Sequence, residues 1–184
     1  MEKNEVYKKH KEYLVPCIAN YYKEPLILDR GKGKFLYDID GKEYLDFFGG
    51  ILTISVGHCD DEITSRVVEQ LKRLQHTSTL YPNVPIVSLA ERLARITPGR
   101  LQKSFFTNSG TEAIETAILM AELYTRRHEI IALRHCYSGA SLLAMNITAH
   151  KNWRLGSDLV PGIKHAHNAY CYRCVFGRDR KSVV

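Results

Sequence analysis

Asn108, Ser109, Gly110 and Thr111 stand between a stretch that reads as a strand, Lys103 to Thr107, and one that reads as a helix, from about Thr111 to Tyr124. Unpaired backbone N–H groups and the positive end of a helix dipole converge at such a junction. Ser109 and Thr111 add hydroxyl donors, and Gly110 lets the backbone close around an anion. This is the chemistry of a phosphate cradle. The same residues also form a capping box, because Ser109 with Glu112 three positions on can close the helix with no ligand at all. Glu112 repels a phosphate unless its side chain turns back toward the cap, so on this motif alone both readings stand.

The elements that must position these residues follow from pattern. Lys34 to Ile39 and Lys42 to Phe47 read as two strands joined at Asp40-Gly41, a pair suited to the positive φ angles of a tight turn. Gly49-Gly50 follows, a pair at which backbone can approach a partner closely. Asp60 or Asp61 can cap a helix carrying Ile63, Val67, Leu71 and Leu74 on one face. A second helix, Ile86 to Ile96, carries Leu89, Ala90, Leu93 and Ala94 as its predicted buried stripe and ends at Thr97-Pro98-Gly99. The helix after Gly110 is predicted to turn Ala113, Ala117, Met120, Ala121 and Tyr124 inward. Glu129 to Leu133 reads as a further strand and Leu142 to Ile147 as part of another helix. Strand alternating with helix implies parallel pairing, hence an α/β, doubly wound sheet.

Composition narrows the function classes. A net charge of +6 would suit a polyanion partner if the basic residues clustered, but the densest runs, Lys8 to Lys11 and Arg178 to Lys181, sit at the two ends of the chain. No nucleic-acid partner is therefore expected, and because no apolar run approaches the length needed to cross a bilayer, no membrane partner is expected either. The first residues, Met1 to Glu5, match neither a secretory signal nor an Arg-rich transit peptide. Cys17, Cys59, Cys136, Cys171 and Cys174 form an odd, unevenly spaced set, which suits a reducing, cytoplasmic setting. His165, His167, Cys171 and Cys174 offer an H-x-H and a C-x-x-C, the ligand types of a zinc site, yet only one C-x-x-C exists and no metal is expected.

Wider context weighs between the two readings of the cradle. Phe105 to Ala113, followed by His135-Cys136-Tyr137-Ser138-Gly139, resembles the class III aminotransferases, and within them the alanine–glyoxylate branch. Tyr37 to Gly41, Asp46 to Gly50, Gly57-His58, His76 to Pro82 and His165 to Asn168 carry the likeness too, from about Tyr21 to Gly177. The resemblance implies a pyridoxal-phosphate enzyme with a partial aspartate-aminotransferase-like large domain (fold type I) and a small N-terminal α+β segment. It implies that residues 1–60 are the small-domain segment with the hairpin and that 61–178 are the first part of the large domain. It implies that Ser109, Gly110 and Thr111 grip the phosphate, that Tyr137 stacks on the cofactor ring with Ser138 beside it, and that Gly49, Gly50 and Tyr81 shape the substrate pocket. An electron-poor pyridinium gains from a π face laid against it; without the cradle, Tyr137 reads as a half-buried core tyrosine. The intact enzyme would be a homodimer exchanging an amino group between an amino acid and a 2-oxo acid, with alanine and glyoxylate or pyruvate as pairs.

Three positions depart from the family pattern: Ser138 where His is usual, Ile114 where Asn is common, and Ala140 where acetylornithine-type relatives carry a substrate-binding arginine. Transamination also needs a lysine amine that condenses with the cofactor aldehyde, and a carboxylate beside the pyridine nitrogen. Lys151, Lys164 and Lys181 match no such position, so no catalytic residue is assigned. The last six residues, Asp179 to Val184, are the translation of GATCGGAAGAGCGTCGTG, which reads like a sequencing adapter, and residues 179–184 are expected to be a non-native tail on a fragment of a longer gene product. A related pyridoxal-phosphate enzyme, an aminomutase or decarboxylase, or a non-catalytic zinc or binding module, are the rival readings.

Overall fold

A computed structural model describes residues 2–16, 22–24, 26–156 and 160–177; Cys17, Tyr21, Arg178 and the tail 179–184 lie outside the described residues. The chain divides into two compact units, Met1–Asn83 and Val84–Val184.

In the first unit the basic run near the start lies on a helix that composition did not announce, α1 (Lys3–Tyr13), which buries none of its residues. Lys9 pairs with Glu5 one turn back at 2.7 Å, a solvated i,i+4 contact. An antiparallel sheet follows, in the order β1 (Leu28–Lys32), β2 (Phe35–Asp38), β3 (Glu43–Leu45). The hairpin of β2 and β3 lies where the alternation placed it, in the register Phe35↔Leu45 to Tyr37↔Glu43. β1 is an addition, its pattern too polar to be read as a strand. The Asp40-Gly41 expectation is corrected in detail: only Gly41 (φ 82°) takes the positive angle, and the Gly41 N–H closes the turn on Asp38 O at 2.9 Å.

Asp38 organises that turn. Its Oδ1 accepts from the amides of Asp40 and Lys42 at 3.1 and 2.8 Å, and its Oδ2 accepts from the Tyr44 hydroxyl at 2.7 Å. The Tyr44 hydroxyl, with the two amides behind it, holds the Asp38 carboxyl below its ordinary value of 3.8. A carboxyl lowered in the folded state stabilises the fold above that ordinary value and loses the contribution as pH falls through the lowered one. The thermal midpoint is therefore expected to drop as pH falls below about 4, and Asp38→Asn, which keeps the acceptor but cannot ionise, to flatten part of that slope.

After the sheet, the chain forms a single turn, α2 (Gly49–Leu52), and then α3 (Asp61–Arg73). Asp60 caps α3, accepting from the Ile63 amide at 3.0 Å, and Lys72 and Arg73 close its last turn, where the dipole favours positive charge.

The second unit opens with α4 (Val84–Ile96). Of its predicted stripe, Ala90, Leu93 and Ala94 are half-buried, whereas Leu89 is exposed. The strand expected at Lys103 to Thr107 is absent: residues 101–107 form no regular element, because a strand exists only where a neighbour accepts its amides and none does among the described residues. The helix after the cradle is α5 (Gly110–Thr125). Then come β4 (Ile130–Leu133), α6 (Leu142–Ile147) and β5 (Ile163–Ala166). β4 and β5 pair in parallel from Ile130↔Ile163 to Leu133↔Ala166, the βαβ arrangement that alternation predicts. A 3₁₀ turn, Cys171–Arg173, follows. The buried centre of this unit, among the described residues, is Ala132, Ala144, Asn146, Ile147 and Thr148.

The inward face predicted for α5 is overturned. Ala113, Ala117, Met120, Ala121 and Tyr124 are all exposed, Tyr124 at 91%. The half-buried face carries Thr111, Ile114, Glu115, Ile118 and Glu122. Polar bonds decide the matter: the Ser141 hydroxyl bonds the Glu115 carboxylate, and Thr111 Oγ1 accepts from the Ala140 amide at 3.2 Å. Both anchor the Thr111–Glu115 side against the start of α6, while the apolar stripe meets no cover among the described residues.

Candidate functional site

Local sequence builds the start of α5 directly. Ser109 is the N-cap, with extended dihedrals (φ −152°, ψ 160°), and its Oγ accepts from the Glu112 amide at 3.1 Å. The tension over Glu112 resolves geometrically, because its Oε2 accepts from the backbone N–H and side-chain amide of Asn108 at 2.7 and 3.2 Å. The carboxylate is turned back toward Asn108 and held by two donors. Among the described residues, the amides of Gly110 and Thr111 find no acceptor, and neither the Ser109 nor the Thr111 hydroxyl donates to one. A Cβ added at Gly110 would meet open space. Four donors at the positive end of a 16-residue helix thus remain available to an anion.

Tyr137 reaches this place through a loop rather than along a strand. A Cβ at Gly139 (φ 136°) would come within 2.9 Å of Thr111 Cβ and 3.0 Å of Ala144 Cβ, so only glycine lets the loop lie this close to α5. The Ala140–Thr111 bond joins the same two segments. Next to Tyr137, the Ser138 amide donates to Thr148 Oγ1 at 2.9 Å, and the fully buried Thr148 hydroxyl donates to Ala144 O at 2.9 Å. Cys136 O accepts from the amides of Ala149 and His150 at 3.0 and 3.2 Å. The Tyr137 ring meets Trp153 edge-on, centroids 6.1 Å apart at 74°, and stays 61% exposed. It is therefore no core tyrosine, and much of its surface is free for a planar partner.

Ser109, Gly110 and Thr111 thus share the start of α5, and the loop that carries Tyr137 and Ser138 is tied to Thr111 through Gly139 and Ala140. Gly139 and Thr148 hold the loop; the sequence shows Gly139 only as part of the motif around Tyr137, with no role of its own, and nothing in it marks a threonine after α6. Gly49 and Gly50 share one turn in the first unit, while Tyr81 lies exposed in a separate one, where its amide donates to Ser78 O at 3.4 Å. No hydrogen bond joins Tyr81 to the glycines among the described residues. His165 Nε2 lies 3.0 Å from Ile147 O and His167 packs edge-on to Phe176; among the described residues no three His, Cys, Asp or Glu side chains gather to hold a metal.

The parallel βαβ unit and a helix start with free amides place this unit among the α/β folds, in which helix N-termini offer sites for anions. Comparison with known proteins makes this specific. The family described as aminotransferase class-III matches residues 17–178, and the chain belongs to that family. "Alanine--glyoxylate aminotransferase 2 homolog 2, mitochondrial" of Arabidopsis thaliana is 42% identical over 171 residues, covering 93% of this chain and 36% of the relative. The acetylornithine aminotransferase of Archaeoglobus fulgidus is 36% identical over 137 residues, covering 74% of this chain and 36% of its own. Among solved structures, an (S)-enantioselective omega-transaminase from Thermomicrobium roseum superposes with a TM-score of 0.82 at 33% identity, over 92% of this chain and 41% of that one. The fold is accordingly a partial fold type I α/β domain, and the chain spans little more than a third of the length of the curated relatives it matches.

Proposed function

We propose that this chain supplies the phosphate- and ring-binding part of a pyridoxal-phosphate site in a class III aminotransferase, one that moves an amino group between an amino acid and a 2-oxo acid of the alanine–glyoxylate or alanine–pyruvate type. The observation that carries the reading is the junction of unpaired donors at Ser109, Gly110 and Thr111 with the loop that presents Tyr137. Gly110 and Thr111 would hold the ester phosphate through their amides, Ser109 and Thr111 through their hydroxyls, and Tyr137 would lie against the ring with Ser138 beside it. When bound, the cofactor supplies an electron-withdrawing ring that makes the amino acid's Cα proton removable. The residues of this chain bind and orient it; Tyr137, packed against Trp153, also limits water at one side of the ring.

The rest of the proposal concerns the intact enzyme. Residues 1–60 belong to its small domain and 61–178 to the first part of its large domain. Gly49, Gly50 and Tyr81 contribute to the substrate pocket, in a homodimer. Ala140 in place of a substrate-binding arginine argues against acetylornithine as substrate, although acetylornithine enzymes are among the relatives. The four described cysteines Cys59, Cys136, Cys171 and Cys174 are free thiols, in keeping with a reducing compartment, which we take to be the cytoplasm although the Arabidopsis relative is named as mitochondrial. No described helix is long and apolar enough to cross a membrane.

Pyridoxamine 5′-phosphate tests the site without the non-specific lysine adducts an aldehyde would form. Saturable binding to the 184-residue chain is expected, weakened about tenfold by Gly110→Ala, whose Cβ intrudes where the anion packs, and by a similar factor in Tyr137→Ala, the worth of about 1.4 kcal/mol each. Binding that ignores both substitutions overturns the reading.

A further inference from the structure

Four consecutive residues, Gly49, Gly50, Ile51 and Leu52, take φ of 56°, 58°, 62° and 63°. With ψ of 43° at Gly50 and 52° at Ile51, α2 is a left-handed turn. The two glycines adopt this at little cost, but at Ile51 and Leu52 the Cβ crowds the following carbonyl oxygen and disfavours it against the right-handed alternative. Both side chains are exposed, so packing among the described residues does not compensate them. Such a conformation persists only where neighbouring structure over-determines it.

The constraint is visible at Asp46. Its Oδ1 accepts from the amides of Phe48 and Gly49 at 2.8 and 2.9 Å, and its Oδ2 lies 2.7 Å from His58 Nε2. The Asp46 side chain is 7% exposed and that of His58 18%. The His58 bond, followed by those of the two amides, holds the Asp46 carboxyl below its ordinary range, so the carboxylate accepts and Nε2–H donates. His58 is itself fixed by a reciprocal backbone pair with Gly33, at 2.7 and 2.8 Å. A Cβ at Gly31 would come within 2.9 Å of the first side-chain atoms of His58. The β1–β2 turn thus fixes His58, His58 orients Asp46, and Asp46 sets the entry to the left-handed turn.

We propose that Asp46 and His58 are a positioning pair, a largely buried latch that holds Gly49–Leu52 left-handed and thereby shapes the wall offered to the amino-acid substrate. The second half of this statement rests on the substrate-pocket role given above to Gly49 and Gly50.

Amide exchange and backbone couplings of the 184-residue chain test the latch directly. In Asp46→Ala and His58→Ala, exchange at Phe48 and Gly49 is expected to accelerate at least about tenfold and the positive-φ couplings of Ile51 and Leu52 to be lost, while His58→Gln, which keeps a donor, restores most of both. Unchanged couplings in both alanine variants overturn the latch. Should Asp46→Ala fail to fold, the His58→Ala and His58→Gln pair decides alone. In the active enzyme containing this segment, His58→Ala is expected to raise the amino-acid KM about tenfold with kcat within about threefold, and His58→Gln to recover it; a fall in kcat at constant KM overturns the link to substrate. Binding of pyridoxamine 5′-phosphate to the same variants serves as the control. It fails in the unaltered chain only if the cofactor reading is wrong, and the couplings still judge the latch.

Discussion

Freed of host aminotransferases, the 184-residue chain is expected to transfer no amino group from alanine to glyoxylate, at least about four orders of magnitude below the roughly 10 s⁻¹ typical of enzymes. The reaction needs a lysine amine to condense with the cofactor aldehyde and then move the Cα proton, and none of the described lysines is seen beside the cradle. Lys164 lies on β5, where it lines a cavity of about 760 Å³ with Arg126, Arg127, His128, Glu129, Ile131, His165 and Ala166. None of the cradle residues lines that cavity. Lys151 is exposed in the turn that leads to Trp153 and makes no hydrogen bond to the cradle. A coupled pyruvate assay reads the result, and borohydride trapping with peptide mapping identifies any lysine the aldehyde captures. Turnover that copurifies with the chain through two orthogonal columns, with one lysine labelled stoichiometrically, would overturn the expectation.

The second large effect is structural. Gly139→Ala is expected to cost roughly 2–4 kcal/mol, because the new Cβ is driven against Thr111 and Ala144 while the backbone is held at φ 136°. Neither neighbour yields cheaply. Thr111 sits in the first turn of α5 and Ala144 in the buried centre of the unit. Relief requires the loop carrying Tyr137 to lift from α5, which breaks the Ala140–Thr111 bond. Pyridoxamine 5′-phosphate affinity should fall with stability, whereas Gly110→Ala should lower affinity and leave the unfolding midpoint nearly unchanged. Denaturant unfolding monitored through Trp153, the single tryptophan, separates the two; equal midpoints for Gly139→Ala and the unaltered chain would show that the loop does not rest on Thr111.

Short-range chemistry explains what could be read in advance. Ser109 and Glu112 are three residues apart, and a cap is formed by groups that local geometry already brings together. Asp60 over α3, the β2–β3 hairpin and the α6 helix are equally local, and all appear near their expected positions. Less legible was any feature that depends on a partner remote in the chain. Residues 101–107 have the apolar, β-prone character of a strand yet form none, since a ladder requires a neighbour. Hydrophobicity alone points to one stripe of α5, but Ser141 and Ala140, nearly thirty residues on, bind the opposite face.

By itself, then, the order of residues determined the family, the α/β alternation and the identity of the anion-ready helix start, because these are written in motifs and in neighbours a few positions apart. Tertiary structure alone decided that Gly139 lies against Thr111 and Ala144, and that Asp46 meets His58 beside a left-handed turn. Each of these depends on contacts across the fold or on the choice among rotamers that such contacts make, and neither composition nor periodicity encodes which remote group arrives first.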